Sequence, residues 1–145
     1  MLGAGGLSIA CVVFCVLLQY QGISWLWRLN SRGGPRARAR IAVSALLIGL
    51  HLLEVAIFGV GYLIGERLFG IGAIAASRPI GMLDVFYYSA EVFSTLGLGD
   101  VYATSDLRML TSVEALSGML LLSWSASFLV LAVQGARGAD QNPEL

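Results

Sequence analysis

The residues from Tyr87 to Asp100 read Tyr-Tyr-Ser-Ala-Glu-Val-Phe-Ser-Thr-Leu-Gly-Leu-Gly-Asp. Phe86, Ala90, Phe93 and Leu96 recur at spacings of three and four, which predicts a short helix. Gly97 and Gly99 then end any helix, and without a Cβ they reach backbone conformations closed to other residues. Carbonyls in such a stretch can be turned toward one axis. The chemistry this permits is cation dehydration, in which rings of carbonyl oxygen replace the hydration shell of an ion. One chain supplies one strand of such a ring, so several copies around an axis, a homo-oligomer, are expected. Two acids, Glu91 and Asp100, flank the stretch.

The elements that must hold this segment follow from composition. The chain has 145 residues, 57% hydrophobic and 12% charged, about half the usual charged share of roughly 25%. A single soluble core of this size cannot absorb that much apolar surface, so a membrane protein is expected. Leu2 to Trp27, Ile41 to Ile64 and Met109 to Val133 are each long enough to cross a bilayer, which takes about 20 mostly apolar residues. Leu83 to Leu96 is too short and too polar to cross. Non-helical backbone at membrane depth is tolerated only where protein buries it or it lines a watery cavity, which suits a re-entrant loop. The predicted fold class is an all-α integral membrane protein with three transmembrane helices, a re-entrant helix and a loop. Residues 1–40 form the N-terminal helix and a basic loop, 41–135 the module carrying the re-entrant segment, and 136–145 a short tail.

The formal net charge is zero, which argues against a nucleic-acid partner; lipid is the expected surrounding. All nine basic residues are arginine, and Arg28, Arg32, Arg36, Arg38 and Arg40 cluster between the first two spans. The positive-inside rule assigns that loop to the cytoplasm, so the N-terminus lies outside, 65–108 outside and the C-terminus inside. The Ser-Arg-Gly-Gly-Pro run predicts a turn, with the second helix starting after Pro35. The first span has no basic n-region and is read as a retained helix, not a signal peptide. Ser24, Trp25 and Trp27 fall where an interfacial belt would lie. Arginine-only basic usage suggests a bacterial inner membrane. No internal repeat is evident, the residues from Gly135 on read as a small, polar, disordered tail, and no cytoplasmic sensor domain is expected after the last span.

Ser94-Thr95-Leu96-Gly97-Leu98-Gly99-Asp100 resembles the Thr-Val-Gly-Tyr-Gly-Asp signature of potassium-channel selectivity filters. Upstream, Tyr87-Tyr88-Ser89-Ala90-Glu91 is similar to the pore helix of small bacterial potassium channels, and Val101-Tyr102-Ala103-Thr104 resembles their exit turn. Glu114-Ala115-Leu116-x-Gly118 with Ser123-Trp124-Ser125 looks like a group of small bacterial ion-channel family proteins. The resemblance covers roughly residues 41–135, a two-helix pore module, and implies a passive, potassium-selective cation channel of four subunits, with no enzymatic activity and no organic cofactor. It implies that Thr95 offers hydroxyl and carbonyl at the inner mouth of the filter, that Leu96, Gly97 and Leu98 hold potassium through their carbonyls, and that Gly99 completes the strand. Asp100 would lie behind the filter, with Glu91 placed to share a proton or a water with it. Gly118 resembles the hinge glycine of inner helices. Three departures stand out: Leu98 for the usual Tyr, Ser94 for Thr, and Ala103 for the Pro that stiffens the exit.

Within the spans, His51 and Glu54 share a helix face at a depth where ionisable groups are rare. They read either as a proton-sensing pair that biases gating or as a structural polar contact. Glu114 is expected to anchor the pore helix, and Cys11 and Cys15 to be packing residues. Gly61 and Gly65 form a small-xxx-small pair, and Gly118, Ser123, Ser125 and Ser127 keep the last helix slim. Two other readings compete with the channel. One is a non-conducting accessory or scaffold subunit, which Leu98 allows. The other is an intramembrane aspartyl protease, since Gly97-Leu98-Gly99-Asp100 fits a Gly-x-Gly-Asp motif. That chemistry needs two carboxyls sharing a proton, and Asp84 is the nearest candidate partner for Asp100.

Overall fold

A computed structural model gives the elements in the order α1 (Leu2–Asn30), α2 (Arg36–Arg67), β1 (Ile74–Ala76), α3 (Met82–Phe93), β2 (Val101–Ala103) and α4 (Leu107–Gln141). It describes residues 2–30 and 36–141, and of residues 29–30, 36–40, 133 and 135–141 only the backbone. The predicted turn at 31–35 and the side chains of Arg32, Arg36, Arg38 and Arg40 lie outside the described residues. Arg28 is exposed near the end of α1. The tail expected to be disordered from Gly135 on instead continues α4 to Gln141.

Leu2–Arg28, Ile41–Arg67 and Leu107–Ala132 are long and apolar enough to cross a membrane. The most apolar stretch of each is only 28%, 28% and 33% buried inside the chain, so most of its residues keep some surface outside the chain's own core. What does face inward recurs at three and four residues. On α1 the buried line is Ala4, Ser8, Cys11, Cys15 and Gln19, and on α4 it is Leu110, Glu114, Leu121, Ser125 and Phe128, with Gly118 on the same face. Ser125 and Gly118 are thus turned into the subunit, while Ser123 and Ser127 lie on the exposed face, which divides the predicted slim stripe in two.

Helices in lipid associate by close packing more than by the hydrophobic effect, and α1 shows how. It packs against both α2 and α4. A Cβ at Gly61 would lie 2.9 Å from Cys11 Sγ, and one at Gly65 would meet Leu107 and Leu7 at 2.6 and 3.3 Å, so the small pair on α2 seats both neighbours. Cys11 and Cys15 belong to the main buried apolar cluster, in keeping with a packing role. The Gln19 amide donates to the Leu121 carbonyl (3.1 Å) and to Ser125 Oγ (2.7 Å), joining α1 to α4 at mid-span.

α3 does not cross: its 12 residues make a rod of about 18 Å, against a hydrocarbon core of about 30 Å. A two-stranded antiparallel ladder, Ile74 opposite Ala103 and Ala76 opposite Val101, closes the end of the bundle where α2 ends and α4 begins. Thr104 reinforces it, its Oγ1 lying 2.9 Å from both the Ala73 nitrogen and the Ala73 carbonyl. The segment read as an exit turn is therefore a strand, and Ala103 gains from its partner strand the support that a proline would give locally.

Candidate functional site

The start of α3 is tied to the preceding loop. Asp84 Oδ2 accepts the Gly81 N–H at 2.7 Å, and its carboxylate takes both terminal nitrogens of Arg78, at 2.5 and 3.1 Å. An acid in the first turn also suits the helix dipole. The Arg78 hydrogen bonds, and then the Gly81 N–H, hold the Asp84 carboxyl below the usual carboxylate range. Asp84 is thus committed to Arg78 and is not poised to share a proton with Asp100, which removes the second carboxyl that the protease reading requires.

The buried residues of α3 are Val85, Tyr88, Ser89, Glu91, Val92 and Phe93; of the apolar recurrence Phe86, Ala90, Phe93 and Leu96 only Phe93 is among them, and Leu96 is 62% exposed. Polar side chains were chosen by their partners here: Ser89 and Tyr88 point inward because α2 and α4 supply hydrogen-bonding groups at that level. The helix also stops earlier than its glycines require. Thr95 takes a left-handed conformation (φ 60°), its N–H reaches the Val92 carbonyl, and the Leu96 N–H reaches the Glu91 carbonyl at 2.8 Å. This is a left-handed C-cap of the kind glycine usually fills. In a β-branched residue it costs on the order of 1–3 kcal/mol, and such strain clusters at functional segments.

Beyond the cap, residues 94–100 are all exposed. Gly97 (φ 57°) and Gly99 (φ 82°) are both left-handed, conformations that cost glycine little. Among the described residues, the carbonyls of 95–99 accept no backbone hydrogen bond. Thr95, Leu96, Gly97, Leu98 and Gly99 thus form one contiguous stretch whose carbonyls have no backbone partner among the described residues. Buried polar backbone is almost always paired, so these oxygens must face water, a cation or another chain.

The two flanking acids do not meet directly. Asp100 is exposed and Glu91 is 3% exposed, and the Tyr87 hydroxyl, 3.5 Å from Asp100 Oδ1, stands between them. Its hydrogen bond to Glu91, with the nearby Asp100 charge adding, pushes the phenol up to about 12. Glu91 Oε1 accepts no hydrogen bond among the described residues.

Three other residues singled out by sequence converge on the foot of this segment. His51 Nδ1 and Glu54 Oε2 are 2.7 Å apart, so the two do pair, and the His51 ring lies 5.9 Å from the ring of Phe93, the last residue of α3. A Cβ at Gly118 would come within 2.1 Å of the Phe93 carbonyl oxygen, so α3 and α4 cross there nearly backbone to backbone. Glu114 anchors α3 as expected, through Ser89. Sequence reasoning missed Tyr87 as the link between the acids and Phe93 as the point of convergence. The adjacency of Phe93 to the predicted strand was the available signal.

A family model described as ion channel matches residues 50–134, from within α2 to the end of the spanning part of α4. The chain is 34% identical over 85 residues to the inward rectifier potassium channel Kirbac3.1 of Paramagnetospirillum magnetotacticum, covering 58% of this chain and 27% of that protein. It is 25% identical over 112 residues to the uncharacterized membrane protein YdjJ of Bacillus subtilis, covering 74% of this chain and 33% of that protein. The chain therefore spans about a quarter to a third of the length of these curated relatives. No solved structure matches it significantly. With a matched region that contains α3, the exposed strand and the helices that hold them, this multi-pass membrane protein belongs to the ion channel family.

Proposed function

We propose that the chain is one subunit of a passive, potassium-selective channel, in which residues 95–99 of several copies, four by the resemblance, line a common axis. The observation that carries this reading is the run of carbonyls at 95–99 that have no backbone partner among the described residues. They follow a short helix inside the region matched to the ion channel family. Thr95, Leu96, Gly97 and Leu98 would hold potassium, the transported ion, through backbone oxygen, and Gly99 would let the strand turn outward. Glu91, Tyr87 and Asp100 would brace the strand from behind, a task that the usual Tyr at position 98 shares elsewhere and Leu98 cannot. Similarity to an inward rectifier potassium channel supports potassium as the ion.

In this reading residues 41–135 form the pore module, with α4 as the inner helix, and Gly118, His51 and Glu54 act on gating through Phe93. The arginine-rich loop lies in the cytoplasm, with the N-terminus outside and the C-terminus inside, in a bacterial inner membrane surrounded by lipid. The test is single-channel recording from the purified protein in a planar bilayer under opposed potassium and sodium gradients. A reversal potential close to the potassium equilibrium value is expected. A stable oligomer that passes no current across a range of pH and voltage would overturn the proposal in favour of an accessory or scaffold subunit.

A further inference from the structure

Glu114 sits where α2, α3 and α4 meet. It is fully buried, as are Ser89 and Tyr62, and among the described residues no cationic side chain pairs with it. A lone carboxylate there would be expensive. Its two oxygens are each 2.5 Å from a hydroxyl: Oε1 from Ser89 on α3, Oε2 from Tyr62 on α2. Ser89 Oγ is also 2.8 Å from the Val55 carbonyl of α2.

The protons can be counted. A serine hydroxyl carries one hydrogen and a carbonyl only accepts, so the contact with Val55 takes the proton of Ser89. Ser89 then meets Glu114 Oε1 as an acceptor. An ionised carboxylate offers acceptors only, which would leave two lone pairs facing each other at 2.5 Å. Giving the Ser89 proton to Glu114 instead would strand Ser89 Oγ and the Val55 oxygen, two acceptors, 2.8 Å apart. One proton on Glu114 resolves both cases: Glu114 donates to Ser89, Ser89 to Val55, and Tyr62 to Oε2. The neighbouring branch is already complete without it, since Tyr88 can donate to Thr111 at 2.9 Å and Thr111 to the Leu107 carbonyl at 3.3 Å.

We propose that Glu114 is a neutral carboxylic acid whose donated hydrogen bond pins α3 to α2 and α4. That makes Glu114 a positioning residue for the strand that follows α3. The consequence for conduction rests on the filter reading above; the protonation does not.

The test uses the full chain reconstituted in liposomes near neutral pH. Infrared spectroscopy should show the carbonyl stretch of a protonated carboxyl, lost in Glu114→Gln. Glutamine offers an N–H toward Ser89 and a carbonyl oxygen toward Tyr62 in the same shape, so this variant should hold the potassium-to-sodium permeability ratio within about twofold of the parent, while Glu114→Ala should lower it by about tenfold, the scale of removing a buried hydrogen-bond partner. A band unchanged in Glu114→Gln overturns the neutral acid, and a glutamine variant as impaired as the alanine variant overturns the positioning role. The infrared readout needs no current and no alanine variant. A parent that passes no current would therefore count against the filter reading, while the band would still decide the state of Glu114.

Discussion

Replacing Gly118 by alanine adds one methyl group at the point where α4 touches the end of α3. The new Cβ would lie 2.1 Å from the Phe93 carbonyl oxygen, 2.8 Å from its carbon and 3.0 Å from its Cα. All three atoms are backbone, so no side chain can swing aside. Bringing the closest contact to 3.0 Å, the shortest that real Cβ atoms show, requires the two helices to separate by about 0.9 Å, the difference from 2.1 Å. Overpacking of this kind costs typically 1–3 kcal/mol. The displaced residue is the last of α3, so Ser94 and Thr95 must move with it. The prediction is a lower thermal midpoint for Gly118→Ala in detergent and a weaker preference for potassium in bilayer recordings. Gly6→Ala is the control: nothing lies within 4 Å of a Cβ there, and alanine in a helix gains roughly 0.5–1 kcal/mol over glycine. If Gly118→Ala unfolds at the parent's midpoint, the close crossing does not exist as described. Altered gating in this variant would report the lost crossing before it reported a hinge.

At the start of α3, Asp84 has its ionisation favoured by Arg78 and the Gly81 N–H. A lowered folded value means that the pair's contribution is fully present above the ordinary aspartate value of about 3.9; it is lost as pH falls through the lower value of the folded state. Asp84→Asn should therefore flatten the acid side of the midpoint-versus-pH curve, and parallel curves for parent and variant would contradict the pairing. On α1, Gln19 donates to the Leu121 carbonyl and Ser125 while its buried Oε1 has no hydrogen-bond partner among the described residues. In Gln19→Leu the lost bonds are offset by removal of that orphan acceptor, so its stability should stay within about 1 kcal/mol of the parent. Gln19→Glu sets a carboxylate against a carbonyl and should cost about 2 kcal/mol or more; equal midpoints for the two variants would refute this geometry.

The three spans were legible in the sequence because apolar runs of bilayer length have few alternative fates, and the predicted limits agree with the helices to within a few residues. The re-entrant helix was legible in position but not in orientation. Its inward face is set by Tyr62, Thr111 and Glu114 on distant parts of the chain, which local periodicity cannot register. The same applies to the β1–β2 ladder: three-residue strands carry too little pattern of their own and exist because two loops meet. The glycines pointed correctly to a special backbone, yet the helix ends at Phe93, three residues before Leu96, and is capped by a left-handed Thr95, a conformation that propensity argues against. His51 and Glu54 were recognisable as a pair, but nothing local placed His51 against Phe93.

The exposed run at 94–100 also constrains how the protein can be made. A newly inserted chain carries, at the tip of α3, five successive peptide oxygens with no backbone partner among the described residues, and each such group left in hydrocarbon costs several kcal/mol. A solitary chain can therefore not rest with this tip in lipid. It has to keep the tip hydrated until something covers it, and Leu96 and Leu98, each 62% exposed, make prolonged hydration unfavourable as well. Biogenesis is thus pressed from both sides, and chains left single should be short-lived targets for membrane quality control.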